Sequence, residues 1–412
     1  MTQVIIRPKK LAGHVTVPPS KSQTHRLLLC AALARGESEL ENVAFSQDIL
    51  ATLRCMEALG AQWKEIEPGR LRIEGIPGGA WQGELPRLDC GESGSTLRFL
   101  IPIALAVAGG GIFTGRGRLM QRPQKPYFDL FDEKGIFYEQ AEDTLVVRGT
   151  LAPGEYRLPG DVSSQFFTGL LYALSLLDGP SVVVSTTELE SSEYIDMTVD
   201  AMARAGVNVQ RGADKRSYMV KPAQYKPLSD QVEGDWSQAG FWYAAVALGN
   251  QVETEGLNAF SIQGDMVVVA HFLRLSNPGD VTIDVSACPD LVPPLAAMAA
   301  VREGTTRLVN AARLRIKESD RLASVTAALT AMGARVEEGA DSLTIYGQDA
   351  LMGGVEVDCC NDHRIAMMTA VAATRCERPV KLLGADCVKK SYPNFWEHYQ
   401  ELGGELDVVV SG

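Results

Sequence analysis

Charged side chains open several otherwise apolar helical segments, and they are the residues of this sequence best suited to chemistry. Lys21 and Arg26 lie at the start of S-K-S-Q-T-H-R-L-L-L-C-A-A-L-A, and Arg98 follows G-E-S-G-S in a similar segment. Further charged residues of this kind are Arg122, Lys317, Glu318, Arg321, Asp362, His363, Arg364 and Lys390. A helix N-terminus offers free N–H groups and a positive dipole end, although a single Ser there is usually an N-cap. Because charges are costly to bury unless they bind something, the whole set predicts a site for anionic ligands.

The elements that must position these residues form an internal repeat. Six apolar helix-like segments each begin with a small polar opening, and their marker residues are separated by 71, 70, 73, 54 and 73 positions: Ser22, Ser93, Ser163, Trp236, Asp290 and His363. A second series of amphipathic helices ends in glycines suited to the left-handed C′ position: Gly60, Gly135, Gly206, Gly333 and Gly403. Each unit therefore predicts a strand, a buried helix, a strand, an amphipathic helix and two strands joined by a tight turn.

The size of the repeat array predicts two lobes. Six units of about 70 residues exceed the size at which one core usually stops growing, so two lobes of three units are favoured. We predict an α/β protein in which residues 20–227 form one lobe and residues 228–412 the other. The boundary is placed at the Pro- and Lys-containing stretch from Lys221 to Pro227. Residues 1–19, with a strand at Val4–Pro8, are assigned to the C-terminal lobe.

Composition excludes several classes of function. The formal net charge of −12 argues against nucleic acid or an anionic membrane surface as the main partner. Eight cysteines occur without a C-x-x-C pair, and the five histidines lack metal-ligand spacing, so no metal is expected and the thiols indicate a cytoplasmic protein. The longest apolar stretch, from Phe99 to Phe113, is broken by Pro102 and is too short to span a bilayer.

Eight short motifs occur along the chain in a fixed order: P-S-K-S-x-x-x-R, G-x-S-G-S-x-x-R, R-x-x-x-R-P, G-D-x-S-S-Q-F, P-D-x-x-P, K-E-S-D-R, D-H-R-x-A-M and K-S-Y-P. Together they closely resemble the motifs of the 5-enolpyruvylshikimate-3-phosphate synthase family. The resemblance implies three βαβαββ units per lobe around a pseudo-threefold axis, an inside-out α/β barrel, with the active site in the cleft between the lobes. It also implies transfer of the enolpyruvyl group of phosphoenolpyruvate to the 5-hydroxyl of shikimate 3-phosphate, with loss of phosphate and without a cofactor. A monomer is expected.

The same resemblance implies roles for individual residues. Contacts to shikimate 3-phosphate are implied for Lys21, Ser22, Arg26, Ser163, Ser164, Gln165, Ser191, Tyr194, Asp290 and Lys317. Contacts to phosphoenolpyruvate are implied for Lys21, Gly94, Arg122, Gln165, Arg321, Arg364 and Lys390. Asp290 is the expected base for the 5-hydroxyl and Glu318 the expected acid for the enol carbon, with Lys21 as a competing proton donor. Weaker assignments fall on Glu92 and Arg313, where the family usually carries Asn, and on His363.

Two alternatives remain open from the sequence. The sister transferase that acts on UDP-N-acetylglucosamine shares the fold and the donor, but it usually carries a loop Cys and a Lys-Asn pair. Here the loop G-I-F-T-G-R-G-R-L-M-Q-R-P has no Cys, and Lys21 is followed by Ser22. The second alternative is a non-catalytic protein that keeps the anion sites of the repeats. The presence of Asp290, Glu318 and Lys21 argues against it.

Overall fold

The computed structural model describes residues 2–410. Its helices are α1 (Lys21–Leu33), α2 (Gln47–Ala58), α3 (Gly94–Ala108), α4 (Lys125–Lys134), α5 (Ser164–Leu174), α6 (Ser192–Arg204), α7 (Trp236–Ala247), α8 (Val268–Leu275), α9 (Val292–Ala300), α10 (Arg321–Ala331), α11 (His363–Ala373) and α12 (Phe395–Glu401). No helix between residues 2 and 410 is long and apolar enough to cross a membrane. The chain divides into two compact units. The inserted unit is Lys21–Val232, and the discontinuous unit comprises the described parts of Met1–Ser20 and Glu233–Gly412.

The inserted unit contains three copies of one βαβαββ repeat. Its strands are β3 (Glu37–Glu41), β4 (Gln62–Glu67), β5 (Arg70–Glu74), β6 (Arg87–Asp89), β7 (Gly110–Thr114), β8 (Phe137–Gln140), β9 (Thr144–Arg148), β10 (Glu155–Leu158), β11 (Ser181–Ser185), β12 (Val209–Arg211), β13 (Ser217–Val220) and β14 (Ser229–Gln231). They form sheets of order β14-β3-β5-β4, β6-β7-β9-β8 and β10-β11-β13-β12. In each sheet the first two strands are parallel, and the hairpin that follows pairs antiparallel with the second strand.

The discontinuous unit contains two complete repeats and one shortened repeat. Its strands are β1 (Thr2–Arg7), β2 (Ala12–Thr16), β15 (Gln251–Glu255), β16 (Val281–Asp284), β17 (Thr305–Val309), β18 (Arg335–Glu338), β19 (Leu343–Tyr346), β20 (Leu351–Gly353), β21 (Glu356–Asp358), β22 (Cys376–Arg378), β23 (Val380–Leu383) and β24 (Glu405–Val410). Two sheets of order β16-β17-β19-β18 and β21-β23-β1-β24 repeat the pattern of the inserted unit. β20 and β22 form a short sheet of two strands, and they directly precede β21 and β23 in the chain. β2 and β15 form another sheet of two strands, which has no hairpin.

These sheets explain where the sequence-based boundaries and spacing depart from the structure. The inserted unit extends to Val232 rather than to residue 227, because β14 pairs with β3 and completes the first sheet. Ser20, which the sequence placed with the inserted lobe, belongs to the discontinuous unit. The missing hairpin after β15 accounts for the short spacing from Trp236 to Asp290.

The first helix of each repeat is buried on nearly all sides, as the sequence predicts. Every residue of α9 and α11 is buried, and α3 and α5 are buried over most of their length. Each unit has its own hydrophobic core around these helices. The five glycines predicted to end the amphipathic helices all have positive φ, from 67° at Gly135 to 102° at Gly60. The charged residues at the helix openings are therefore held by rigid, core-anchored helices.

Candidate active site

Lys21, the first residue of α1, is held by an acidic partner that the sequence did not indicate. Its Nζ donates to Asp48 Oδ2 at 2.9 Å, and the two side chains are only 15% and 12% exposed. Asp48 lies in the first turn of α2, where Ser46 caps the helix by accepting from the Ile49 N–H. This partly buried ion pair restricts the position of the ammonium group, because separating the two charges would leave a partly desolvated carboxylate without its partner.

Arg26 is buried one turn further along α1 and joins that helix to α6. Its guanidinium donates to Thr198 Oγ1 at 2.9 Å and to the carbonyl oxygens of Ser22 and Tyr194, each at 2.7 Å. Burial lowers the pKa of Arg26 from its usual value. The Tyr194 ring centroid lies 5.9 Å from the guanidinium carbon. The structure thus brings Ser22, Arg26 and Tyr194 together, with Arg26 holding the other two in place.

Arg122 and Gly94 form the second group of the inserted unit. Gly94 begins α3, after Ser93 caps the helix by accepting from the Thr96 N–H. A Cβ at Gly94 would lie 2.5 Å from Arg122 NH1, so the close approach of the guanidinium requires glycine. Arg122 is buried, and its Nε has no hydrogen-bond partner. A buried guanidinium nitrogen without a partner is unusual in a folded protein, so this position is suited to bind an anion.

The start of α5 supplies the third group. Ser163 caps the helix by accepting from the Gln165 N–H at 3.3 Å, and Ser164 is buried in the first turn. The Gln165 side chain donates to Ser95 Oγ and accepts from Arg98, both at 2.9 Å. Gln165 therefore links the openings of α3 and α5, a contact across about 70 residues of chain.

Two further predicted residues lie at turns of the inserted unit. Ser191 precedes α6 with a φ of 54° and makes no side-chain cap. Glu92 lies in the turn before α3, and its carboxylate is so near Gly117 that a Cβ there would meet Oε2 at 2.6 Å. Glu92 therefore packs against the loop that leads to Arg122.

In the discontinuous unit, three cations surround the carboxylate of Asp290. Arg321 NH1 donates to Oδ1 at 2.8 Å, and Arg364 NH2 donates to Oδ2 at 3.2 Å. Lys317 Nζ lies 3.4 Å from Oδ1. Arg364 also donates to the Asp290 carbonyl oxygen at 2.9 Å, while its Nε has no partner. Asp290 is on the 3₁₀ turn Pro289–Leu291 that leads into α9, and Arg364 is in the first turn of α11.

Arg321 is the centre of this cluster. It is 1% exposed and donates to Glu318 Oε2 at 2.6 Å and to Asp362 Oδ2 at 2.8 Å, besides its bond to Asp290. Burial alone would lower the pKa of Arg321, but Asp362, Glu318 and Asp290 outweigh that effect and raise it. Asp362 caps α11 by accepting from the Arg364 N–H. One buried guanidinium therefore fixes the positions of both predicted catalytic carboxylates.

Lys317 differs from the other cations in its protonation. Burial lowers the pKa of Lys317 to about 8, even though the neighbouring Asp290 carboxylate raises it. The ammonium group is therefore close to its titration range at physiological pH. Its charge can change under conditions in which the guanidinium groups stay protonated.

The remaining predicted residues lie around the same cluster. Lys390 Nζ donates to the Asn361 carbonyl oxygen at 2.6 Å, next to the start of α11. Arg313 donates to the Ser286 carbonyl oxygen at 2.6 Å. His363 is buried, with Nδ1 3.9 Å from Asp362 Oδ1. Within residues 2–410 no group of three or more His, Cys, Asp or Glu side chains could hold a metal ion.

Comparison with known proteins identifies the family. Residues 5–399 match the family model of EPSP synthase (3-phosphoshikimate 1-carboxyvinyltransferase). The 3-phosphoshikimate 1-carboxyvinyltransferases of Clostridium kluyveri and Clostridium perfringens are 46% and 44% identical to this chain, over 99% and 98% of it and 99% of each relative. The structure of EPSP synthase from Acinetobacter baumannii superposes with a TM-score of 0.80 over 100% of both chains, at 24% identity. The chain belongs to the EPSP synthase (3-phosphoshikimate 1-carboxyvinyltransferase) family, a family of transferases of aromatic amino acid biosynthesis.

Proposed function

We propose a division of roles by which this transferase moves the enolpyruvyl group of phosphoenolpyruvate to the 5-hydroxyl of shikimate 3-phosphate and releases phosphate. The substrates bring two phosphates and two carboxylates, which require several fixed cations. Both units contribute such cations, and the observation that carries the proposal is the buried guanidinium of Arg122 beside Gly94, whose Nε has no hydrogen-bond partner. A guanidinium in that state is prepared for a bidentate anion.

In this proposal Arg122 and the N-terminus of α3 bind the phosphoenolpyruvate donor, together with Lys21, Gln165, Arg364 and Lys390. Arg364 donates to the carbonyl and carboxylate oxygens of Asp290, and Lys390 donates to the Asn361 carbonyl oxygen, so both cations are held in fixed positions. Arg321 already bonds to three carboxylates, so its contribution to the donor site is mainly its charge and its hold on Asp290 and Glu318.

Shikimate 3-phosphate is proposed to bind at the openings of α1, α5 and α6. Ser163, Ser164 and the free N–H groups of α5 suit its phosphate, since helix N-termini favour anions. Lys21, Ser22, Gln165, Ser191 and Tyr194 add polar groups. Arg26 positions Ser22 and Tyr194, because its N–H groups bond to their carbonyl oxygens. Lys317 and Asp290 are proposed to contact the ring hydroxyls.

The chemical step is addition followed by elimination. Asp290 accepts the proton of the 5-hydroxyl while its oxygen bonds to the central carbon of the donor, and Glu318 gives a proton to the methylene carbon. The tetrahedral adduct then returns a proton from the new methyl group to the Glu318 carboxylate, and the bond between the central carbon and the phosphate oxygen breaks. Phosphate leaves with the proton that Asp290 took from the 5-hydroxyl. The double bond is thereby restored in the product. Lys21 remains the competing proton donor.

The proposal is tested by inorganic phosphate release from phosphoenolpyruvate with shikimate 3-phosphate as acceptor. Release that requires shikimate 3-phosphate supports it. Release with UDP-N-acetylglucosamine instead would identify the sister activity, and binding of both substrates without release would identify a non-catalytic protein. Asp290→Asn is the matched control, because it preserves shape and removes the proposed base.

We further propose that the enzyme is a cytoplasmic monomer. All eight cysteines are free and seven of them are buried, which fits a reducing compartment. Sedimentation velocity at micromolar protein concentration tests the oligomeric state, and a particle with twice the mass of the 412-residue chain would contradict it.

A further inference from the structure

Strand β15 is left with one unpaired edge. In the five other repeats the equivalent second strand pairs antiparallel with a further strand of its sheet: β3 with β5, β7 with β9, β11 with β13, β17 with β19 and β23 with β1. β15 pairs with β2 on one side, and within residues 2–410 no strand pairs with its other side. This edge of β15 therefore lacks the antiparallel neighbour that the equivalent strand has in each of the other repeats.

The backbone groups of that edge can be assigned. Gln251 N–H donates to the Leu11 carbonyl oxygen and the Glu255 carbonyl accepts from Val17, so residues 251, 253 and 255 bond towards β2. By the alternation of a parallel ladder, the N–H and C=O groups of Val252 and Thr254 point to the free edge. Exposed groups of this kind are a template for an added strand.

An apolar groove of about 350 Å³ lies against this edge. Its walls are Trp242, Tyr243 and Val246 of α7 and Phe272 of α8, with Val252, Glu253 and Thr254 of β15. Leu273 on α8 is 58% exposed. Aliphatic side chains of an added strand would cover this groove, as those of the hairpin strands do in the complete repeats.

The outer face of β15 is acidic. Glu253 and Glu255 are exposed, and His14 of the neighbouring β2 lies 3.6 and 3.2 Å from their carboxylates. β3, the equivalent strand of the first repeat, has the same pattern, with outward Glu37, Glu39 and Glu41. A second copy of β15 would place like charges opposite each other, which is destabilising.

The partner of β3 shows what chemistry such an edge accepts. β5 reads R-L-R-I-E, and it places Leu71 and Ile73 in the core. Its Arg70 lies 2.6 Å from Glu39, and its Arg72 lies 3.0 Å from Glu39 and 3.3 Å from Glu37. We propose that the free edge of β15 binds an extended segment of a partner protein that alternates basic and aliphatic residues, antiparallel to β15. Its aliphatic side chains fill the groove and its basic side chains pair with Glu253 and Glu255.

The probe is a synthetic hairpin peptide with the sequence of residues 62–74. It supplies, as a separate molecule, the kind of hairpin that is missing after β15. Fluorescence polarisation of the labelled peptide with the full-length enzyme is expected to show saturable binding with a Kd below ~1 mM. A peptide with Arg70→Glu and Arg72→Glu is the charge control and is expected not to saturate. Glu253→Lys with Glu255→Lys in the enzyme should weaken binding by ~5-fold or more, since each cross-strand charge pair contributes modestly.

The Thr254→Pro variant separates strand addition from general charge attraction. It removes one outward N–H and leaves the bonds to β2 intact, so it should abolish binding, whereas Thr254→Ala should not. Phosphate release and circular dichroism of both variants check that the fold is preserved. Hydrogen exchange should slow at Val252 and Thr254 when the hairpin peptide binds.

Three results with the hairpin peptide would overturn the proposal. The first is the absence of saturable binding at 1 mM peptide, and the second is equal binding to the Thr254→Pro variant and the wild type. The third is protection from hydrogen exchange at β3 instead of β15, because the peptide would then be displacing residues 62–74 of the enzyme from their place beside β3. Concentration-dependent dimerisation abolished by Thr254→Pro would also overturn it, because a second copy of this chain would then be the occupant.

Discussion

Replacing Gly94 by alanine tests the arrangement of Gly94 and Arg122 most directly. The new Cβ would lie 2.5 Å from Arg122 NH1, 2.8 Å from Cζ and 3.0 Å from NH2. Since ordinary contacts between such atoms are about 3.5 Å, the guanidinium must shift by roughly 1 Å. The contact is with the end of a side chain and not with backbone, so the helix itself should remain folded.

The expected loss follows from what a 1 Å shift does to a charge-assisted hydrogen bond. Such bonds contribute about 1.5–3 kcal/mol, and the interaction weakens steeply outside its distance range. Losing one of them would raise the KM for phosphoenolpyruvate by ~10- to 150-fold. Shikimate 3-phosphate is proposed to bind at other helix openings, so its KM should change by less than ~3-fold.

The assay is steady-state phosphate release at varied concentrations of each substrate, for wild type, Gly94→Ala, Arg122→Lys and the double variant. Lysine has no guanidinium to collide with the new Cβ, so the penalty of Gly94→Ala should shrink by at least ~5-fold in the Arg122→Lys background. An unchanged KM for phosphoenolpyruvate in Gly94→Ala would refute the proposed donor site. Equal penalties in both backgrounds would refute the role of the collision.

Three further predictions concern the cations and carboxylates of the two clusters. Asp290→Asn should lower kcat by ~10³-fold without weakening phosphoenolpyruvate binding, because the base is lost while Arg321 and Arg364 are released from a carboxylate; a near-normal kcat would reassign the base. The wild-type kcat/KM for shikimate 3-phosphate should fall as pH rises through about 8, because Lys317 loses its proton there. Lys317→Arg should move that decline to higher pH by at least ~1 unit, and identical pH profiles of the two enzymes would contradict the role of Lys317. Asp48→Asn should raise the KM for shikimate 3-phosphate by ~5-fold, because Lys21 loses the partner that fixes its Nζ; a lower Tm with unchanged kinetics would limit Asp48 to a structural role.

Much of the fold could be predicted from sequence because its determinants are local. A buried helix shows as a continuous apolar run, and an amphipathic helix with a left-handed glycine shows as a periodic pattern with a stop. The positive φ angles at Gly60 and Gly333 confirm those stops. Six spaced copies of the first signal and five of the second predict an α/β repeat protein.

The limits of the repeats were set by pairing between distant segments. Ser229–Gln231 completes the first sheet through β3, a strand about 190 residues earlier, so the boundary at residue 227 was too early. The spacing of 54 residues to Asp290 is shorter than the other four, and the sheet order shows that a hairpin is the part that is missing. Strands pair through backbone N–H and C=O groups, which nearly every residue carries. The amino-acid sequence therefore gives little indication of which strands pair with each other.

The sequence by itself determined which residues bring chemistry to each helix opening, because a helix N-terminus and its charged neighbours occupy one short stretch of chain. Only the tertiary structure decided how those charges are shared. In that structure Lys21 pairs with Asp48, Arg321 donates to three carboxylates, and the Arg122 Nε has no hydrogen-bond partner. Each of those outcomes depends on which groups are desolvated together, and desolvation is a property of packing between segments that lie far apart in the chain.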